Sequence, residues 1–164
     1  MISEIKIILS QFANKDFLAV AGGHLLFWGL ALGVAAFAAA LWWWKDGRAQ
    51  LLALLLIIFS SATSYPVVHW RPKAAPKTVL KEDIPAWQAN TVMVRKYQWV
   101  FYAMAGCAAA ALAMRSKGGL GDMLCALTIA AGVCVTLYAL WIYQKEILLH
   151  YPDAVLRPGD PRLR

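Results

Sequence analysis

Four long apolar stretches, 17–44, 50–70, 91–114 and 121–148, occupy most of this chain, and short clusters of charge, Gly and Pro separate them. The hydrocarbon core of a bilayer, roughly 30 Å thick, asks for about 20 apolar residues per helix, so each stretch is long enough to cross it. The first closes on Trp42, Trp43 and Trp44, followed by Lys45, Asp46, Gly47 and Arg48, an aromatic belt running into a tight polar connection. In the second, Ser60, Ser61, Thr63 and Ser64 precede Tyr65 and Pro66, which predicts a polar, helix-facing half and a kinked last turn. The third opens near Arg95 and Lys96, passes through an alanine-rich middle and stops at Arg115 and Lys117, before the turn-forming Gly118 and Gly119. The fourth runs past Tyr143 to His150, where Pro152 and Pro158 prevent continuation.

Between the second and third stretches, residues 71–90 hold Pro72, Pro76 and Pro85 among Lys73, Lys77, Lys81, Glu82 and Asp83, and read as a loop. At the start, Ile5, Ile8, Leu9 and Phe12 share one helical side, which suits a short interfacial helix over 1–16. That leader is too polar for the apolar core of a signal peptide, so the first span is expected to be retained. Residues 151–164 read as an extended tail. The expected architecture is an all-α integral membrane bundle of four transmembrane helices in a single domain, with both termini on the same side.

Composition agrees. The chain is 61% hydrophobic and only 15% charged, against about 25% charged in soluble domains, and its mean hydropathy is +0.56. No separate soluble catalytic domain fits. The net charge of +7 arises from 16 Lys and Arg at helix ends and in loops, not from one basic stripe. Such placement points to lipid headgroups and away from nucleic acid. Twelve of the 16 lie at the end carrying both termini and the long loop, and four at the tight turns. The positive-inside rule makes the first end cytoplasmic, yet short-loop charges weigh most and sit at the other, which leaves the orientation open. Cys107, Cys125 and Cys134 fall inside spans without CxxC spacing and read as packing residues; the absence of CxxCH excludes covalent c-type haem.

Candidate chemistry centres on three histidines. His24 lies about two turns inside the first span, His69 closes the second and His150 the fourth, which places all three at the end that carries the termini. Imidazole ligates haem iron, copper and zinc. His24 and His150 are the leading pair for a b-type haem, and His24, His69 and His150 together are a candidate copper or zinc set. In the alternative, each is an interfacial side chain bonded to lipid, water or a backbone carbonyl. At helical spacing, Gly22, Gly29, Gly33, Ala36 and Ala40 form a small-residue stripe containing a GxxxG step, and His24 points roughly opposite it. His24 and Trp28 then face a second helix, a cofactor, lipid or another subunit.

Near the same end, Arg95, Gln98 and Tyr102 share a helical face, with Tyr97 opposite. A guanidinium at Arg95 suits haem propionates or lipid phosphate. Gln98 and Tyr102 suit hydrogen bonds to a quinone or a cofactor edge, or else serve water and headgroups, with Tyr97 and Tyr102 in an aromatic belt. Glu146 stands four residues before His150 and can orient its ring, and Asp153 can add an oxygen ligand. No nucleophile and base pairing, phosphate loop or carboxylate cluster is present, and the helix centres lack a chain of Asp, Glu or Lys. No transport or independent catalytic activity is expected.

The opening of the first span at His24, the four-span layout and the closing run Glu146, Ile147, Leu148, Leu149, His150 before Val155 resemble an uncharacterised bacterial family of four-helix membrane proteins thought to bind haem. The further histidines of that family, in its first and third spans, correspond here to Trp28 and Gln98. The resemblance implies a multi-pass protein of the bacterial inner (cytoplasmic) membrane, with His24 and His150 as haem b ligands. Two readings follow. In one, the chain is a redox-complex subunit that binds haem b or sits beside a quinone and assists electron transfer; in the other it is a cofactor-free accessory subunit packing against larger membrane proteins.

Overall fold

A computed structural model describes residues 15–70, 75 and 79–150, and within them the side chains of all but 15–21, 143, 144 and 146–150. The interfacial helix expected over 1–16 lies outside the described residues apart from its last two positions, and the tail expected over 151–164 lies outside them entirely. The described chain is all helical. Helix α1 is Lys15–Ala39, continued by a π-helical turn Ala40–Trp44. Helix α2 is Gly47–Ala62 and α3 is Ser64–His69. A 3-10 turn, Lys81–Asp83, leads into α4, Ile84–Lys96; α5 is Trp99–Met114 and α6 is Gly119–His150. Four helical stretches are long and apolar enough to cross a membrane: Gly22–Trp44, Gly47–His69, Lys81–Met114 and Gly119–Ile142.

Packing runs round a ring: α1 against α2, α2 against α5, α5 against α6, and α6 back against α1. Neighbours run antiparallel. Along α1 and the second span, Gly22 meets Val67 of α3, and Gly29 and Gly33 meet Ser60 and Ile57 of α2. Between the second and third spans, Gln98 at the start of α5 pairs with Ser64 of α3, and Arg115 at its end pairs with Gly47 of α2. Leu30, Phe37, Leu54, Ile57, Phe101, Met104, Ala108 and Ala111 fill the centre and are essentially inaccessible. In a bilayer, lipid tails are as apolar as these side chains, so close packing and not burial as such holds the helices together.

The glycine stripe of α1 makes that packing possible. A Cβ at Gly33 would lie 2.8 Å from Cγ1 of Ile57, and one at Gly29 would overlap the Ser60 side chain. On the other side of α1, a Cβ at Gly132 of α6 would come within 2.5 Å of Val34 Cγ2. The small-residue stripe is thus a helix-packing surface facing α2.

Both tight turns have local causes. Lys45 takes a left-handed φ of 50° and reverses the chain after the tryptophans, and the Asp46 carboxylate caps α2 by accepting from Arg48 N at 2.8 Å. At the second turn, Gly118 holds φ 65°, where a side chain would be strained.

The second span is interrupted next to the proline expected to kink it. Pro66 lacks the N–H that would bond the Ala62 carbonyl, and its ring crowds that carbonyl, so the helix breaks at Thr63. The Thr63 hydroxyl donates to Ser60 O at 2.6 Å and lies 3.4 Å from Gly22 O, which pins the break to α1.

The third span differs from its expected outline. The loop anticipated over 71–90 gives way to helix at Ile84, six residues before the anticipated end, because Pro85 sits in the first turn, where its missing N–H costs nothing. Trp87, Asn90 and Val94 then bury one face of α4, and Trp87 forms a small satellite core with Val79, Ala75 and Ile84. The span is also interrupted at Tyr97 and Gln98, between α4 and α5.

Candidate functional site

Breaks in two adjacent spans, at Thr63 and at Tyr97–Gln98, lie at the same end of the bundle and build its most polar interior region. Ser60, Ser61 and Ser64 are fully buried, at 0%, 0% and 1% exposure, with no hydrogen-bond partner for any of their hydroxyls. Ser60 occupies the notch left by Gly29. Gln98 enters from α5: its amide nitrogen donates to Ser64 O at 3.3 Å and to the Tyr102 hydroxyl. These two bonds use both amide hydrogens, so no Gln98 donor remains for a quinone carbonyl. Tyr102, 44% exposed, accepts from Gln98 and keeps its own hydroxyl proton for an acceptor outside the bundle.

Arg95 does not join this pair. It lies on the exposed side of α4, one residue row before the break that turns Gln98 inward. The helical spacing that placed Arg95, Gln98 and Tyr102 together assumes a continuous helix. Only Gln98 and Tyr102 meet.

Tyr97 packs inside, edge-on to Tyr138 at 6.5 Å between ring centroids. Tyr138 continues the stack to Phe101 at 5.7 Å and to Trp141 at 6.0 Å, with the Lys145 ammonium 3.7 Å over the Trp141 ring. Tyr97 and Phe101 therefore lock the third span to α6 through Tyr138, a role no sequence signal singled out, since the partners lie about 40 positions apart.

The histidines separate. His69 places its Nδ1 3.1 Å from Tyr65 O and stacks on the Tyr65 ring at 3.9 Å, so one turn of α3 engages the imidazole locally. His24 is exposed on α1, on the side away from Gly22 and its contacts with Val67 and Thr63. Its ring therefore faces away from the helix carrying His69. His150 ends α6, and its side chain, with that of Glu146, lies outside the described residues, as does Asp153. Among the described residues no group of three His, Cys, Asp or Glu is placed to hold a metal ion. The two described imidazoles do not form a haem clamp, and side chains from all four spans occupy the centre of the ring. A haem on His24 would sit outside the bundle, with its second ligand from His150 or another chain.

What His24 does share is a surface. Trp28, one turn further along, is 54% exposed, and Leu25, Leu32 and Ala35 continue the same outer side of α1. Measured from the midpoint of the first span, whether that span begins at 17 or at 22, His24 lies about 10 to 14 Å away at the helical rise, within the roughly 15 Å half-thickness of the hydrocarbon core. An imidazole on the outer side at that depth is unlike its Leu and Ala neighbours, which lipid tails solvate well. The chain matches no family model, no curated protein and no solved structure.

Proposed function

We propose that the protein is an accessory subunit of a larger complex in a bacterial inner membrane, docked on another membrane protein through the outer side of α1. It crosses the membrane four times with both termini on one side, and has no catalytic activity of its own. The observation that carries this reading is His24 with Trp28 on the outward side of α1, at a depth where a polar ring favours protein over lipid. Trp supplies a large rigid contact whose N–H adds direction to it.

A photo-crosslinking amino acid at position 28 or 32, in native membranes, tests it. Both positions should give one protein adduct of the same mass, and Leu52, exposed on α2, should give none. Equal labelling from all three, or lipid adducts alone, would sink the reading.

A second reading, a haem b subunit assisting electron transfer, is favoured by one observation: His24 is exposed on the outer side of α1. The described residues supply one imidazole to such a haem, so the partner or His150 would complete the ligation. A visible spectrum of the intact complex with and without dithionite decides this. A Soret band that shifts on reduction and is lost in His24→Ala supports it, and its absence from a native-like preparation removes it.

A further inference from the structure

At the end of the bundle opposite the histidines, the two tight turns are joined. Arg115 Nη1 donates to Gly47 O at 2.7 Å, which ties the end of α5 to the start of α2 across 68 positions. This one bond gathers Lys45 and Arg48, flanking Gly47, with Arg115 and Lys117 into a single cationic patch. We infer that this patch is a binding site for the phosphate of an anionic phospholipid headgroup.

Three features point to lipid phosphate. First, the cations outnumber the nearby acids, and the Asp46 carboxylate is already committed to capping α2 through Arg48 N at 2.8 Å. Because the backbone of Arg48 makes that bond, its guanidinium is left to solvent, and Lys45 and Lys117 are exposed too. Second, Arg115 uses one nitrogen on the Gly47 carbonyl and holds further N–H donors in the same plane, the fork that suits two phosphate oxygens. Third, Trp42, Trp43 and Trp44 immediately precede the patch and are 61%, 81% and 65% exposed. Indole prefers the headgroup level of a bilayer, so these rings set the patch at the depth of the phosphates. The π-helical turn beneath them, with Gln50 Nε2 3.4 Å from Ala40 O, places three consecutive indoles outward.

Full-length protein in mixed micelles of phosphatidylglycerol and phosphatidylcholine, read by native mass spectrometry, provides the test. A basic residue near the surface is worth about five-fold in anionic lipid attraction, and with mutual screening the wild type should retain phosphatidylglycerol at least about ten-fold over phosphatidylcholine. The combined variant Lys45→Gln, Arg48→Gln, Lys117→Gln should fall to near parity. Arg48→Gln alone, with its capping N–H intact, should give an intermediate preference, and it serves as the readout if the combined variant does not fold. Arg95→Gln with Lys96→Gln, two exposed cations at the other end, should lose clearly less of the preference than the combined variant. Wild-type parity, an undiminished preference in the combined variant or in Arg48→Gln, or an equal loss in the Arg95 and Lys96 variant would each overturn the site. An excess of inorganic phosphate should leave the lipid bound; its displacement would mark a free-phosphate site and overturn the assignment to lipid.

Discussion

One side of α1 carries Gly22, Gly29, Gly33 and Ala40, and the other carries His24, Trp28, Leu32 and Ala35. Both occupy the same membrane depth, yet their tolerances are opposite. On the glycine side the α2 backbone and side chains come so close that a single methyl group has no space at Gly29 or Gly33. On the His24 side, large side chains are exposed at the surface of the bundle, where added volume meets no neighbouring helix. A membrane helix can be intolerant of volume on one side and indifferent to it on the other, because tight packing, not apolar burial, is what distinguishes a helix neighbour from lipid.

The largest effect is expected on the glycine side. Gly29→Leu would drive a branched side chain into Ser60, and overpacking of this severity costs about 3 kcal/mol or more; thermal unfolding in detergent should show loss of the folded state. If unfolding is unchanged, the contrast between the two sides fails. A smaller change sharpens the same point: Gly29→Ala should destabilise by about 1–3 kcal/mol, and Ser60→Gly in the same chain should recover much of it, a coupling measurable in a double-mutant cycle. Independence of the two substitutions would mean that Ser60 is not the obstacle.

Gln98→Leu comes next, since it removes the amide that bonds Ser64 O and the Tyr102 hydroxyl, a loss of about 1–2 kcal/mol in the same melts. Ser61→Ala should be nearly neutral, because the hydroxyl it deletes is buried without a partner. The smallest effect on the isolated protein belongs to the outer side: His24→Leu with Trp28→Ala should leave the melting curve within about 0.5 kcal/mol of wild type, while abolishing the adduct formed from position 32. A destabilisation as large as that of Gly29→Ala would show that the outer side belongs to the fold.

Much of the fold is legible locally, and the failures are instructive. Pro66 announces the break in the second span because a missing N–H acts within one turn. Pro85 is locally ambiguous: the residue that punctuates a loop also begins a helix, and only the burial of Trp87, Asn90 and Val94 distinguishes the two. The candidate site was legible where helical phase continues and lost where it stops. His24 lies opposite the glycine stripe, as a uniform helix requires. A uniform helix puts Arg95 and Gln98 on one face, and the break at Tyr97 sends one outward and the other inward. His69 is satisfied by Tyr65, four residues before it, a bond that helical spacing permits but that competing water or lipid partners leave undecided in sequence.

The sequence by itself determines four spans and their turns, because bilayer thickness, aromatic belts and backbone φ act on neighbouring residues. It also determines that α1 has a small-residue side and an opposite side bearing His24, since both follow from the turn of one helix. Only the tertiary structure decides that Ser60 and Ile57 fill the notches beside Gly29 and Gly33, that Tyr97 stacks on Tyr138, and that Arg115 ties two turns into one cationic patch. Each joins residues about 25 to 70 positions apart, and such pairs meet through the relative rotation and register of whole helices, which no local pattern encodes.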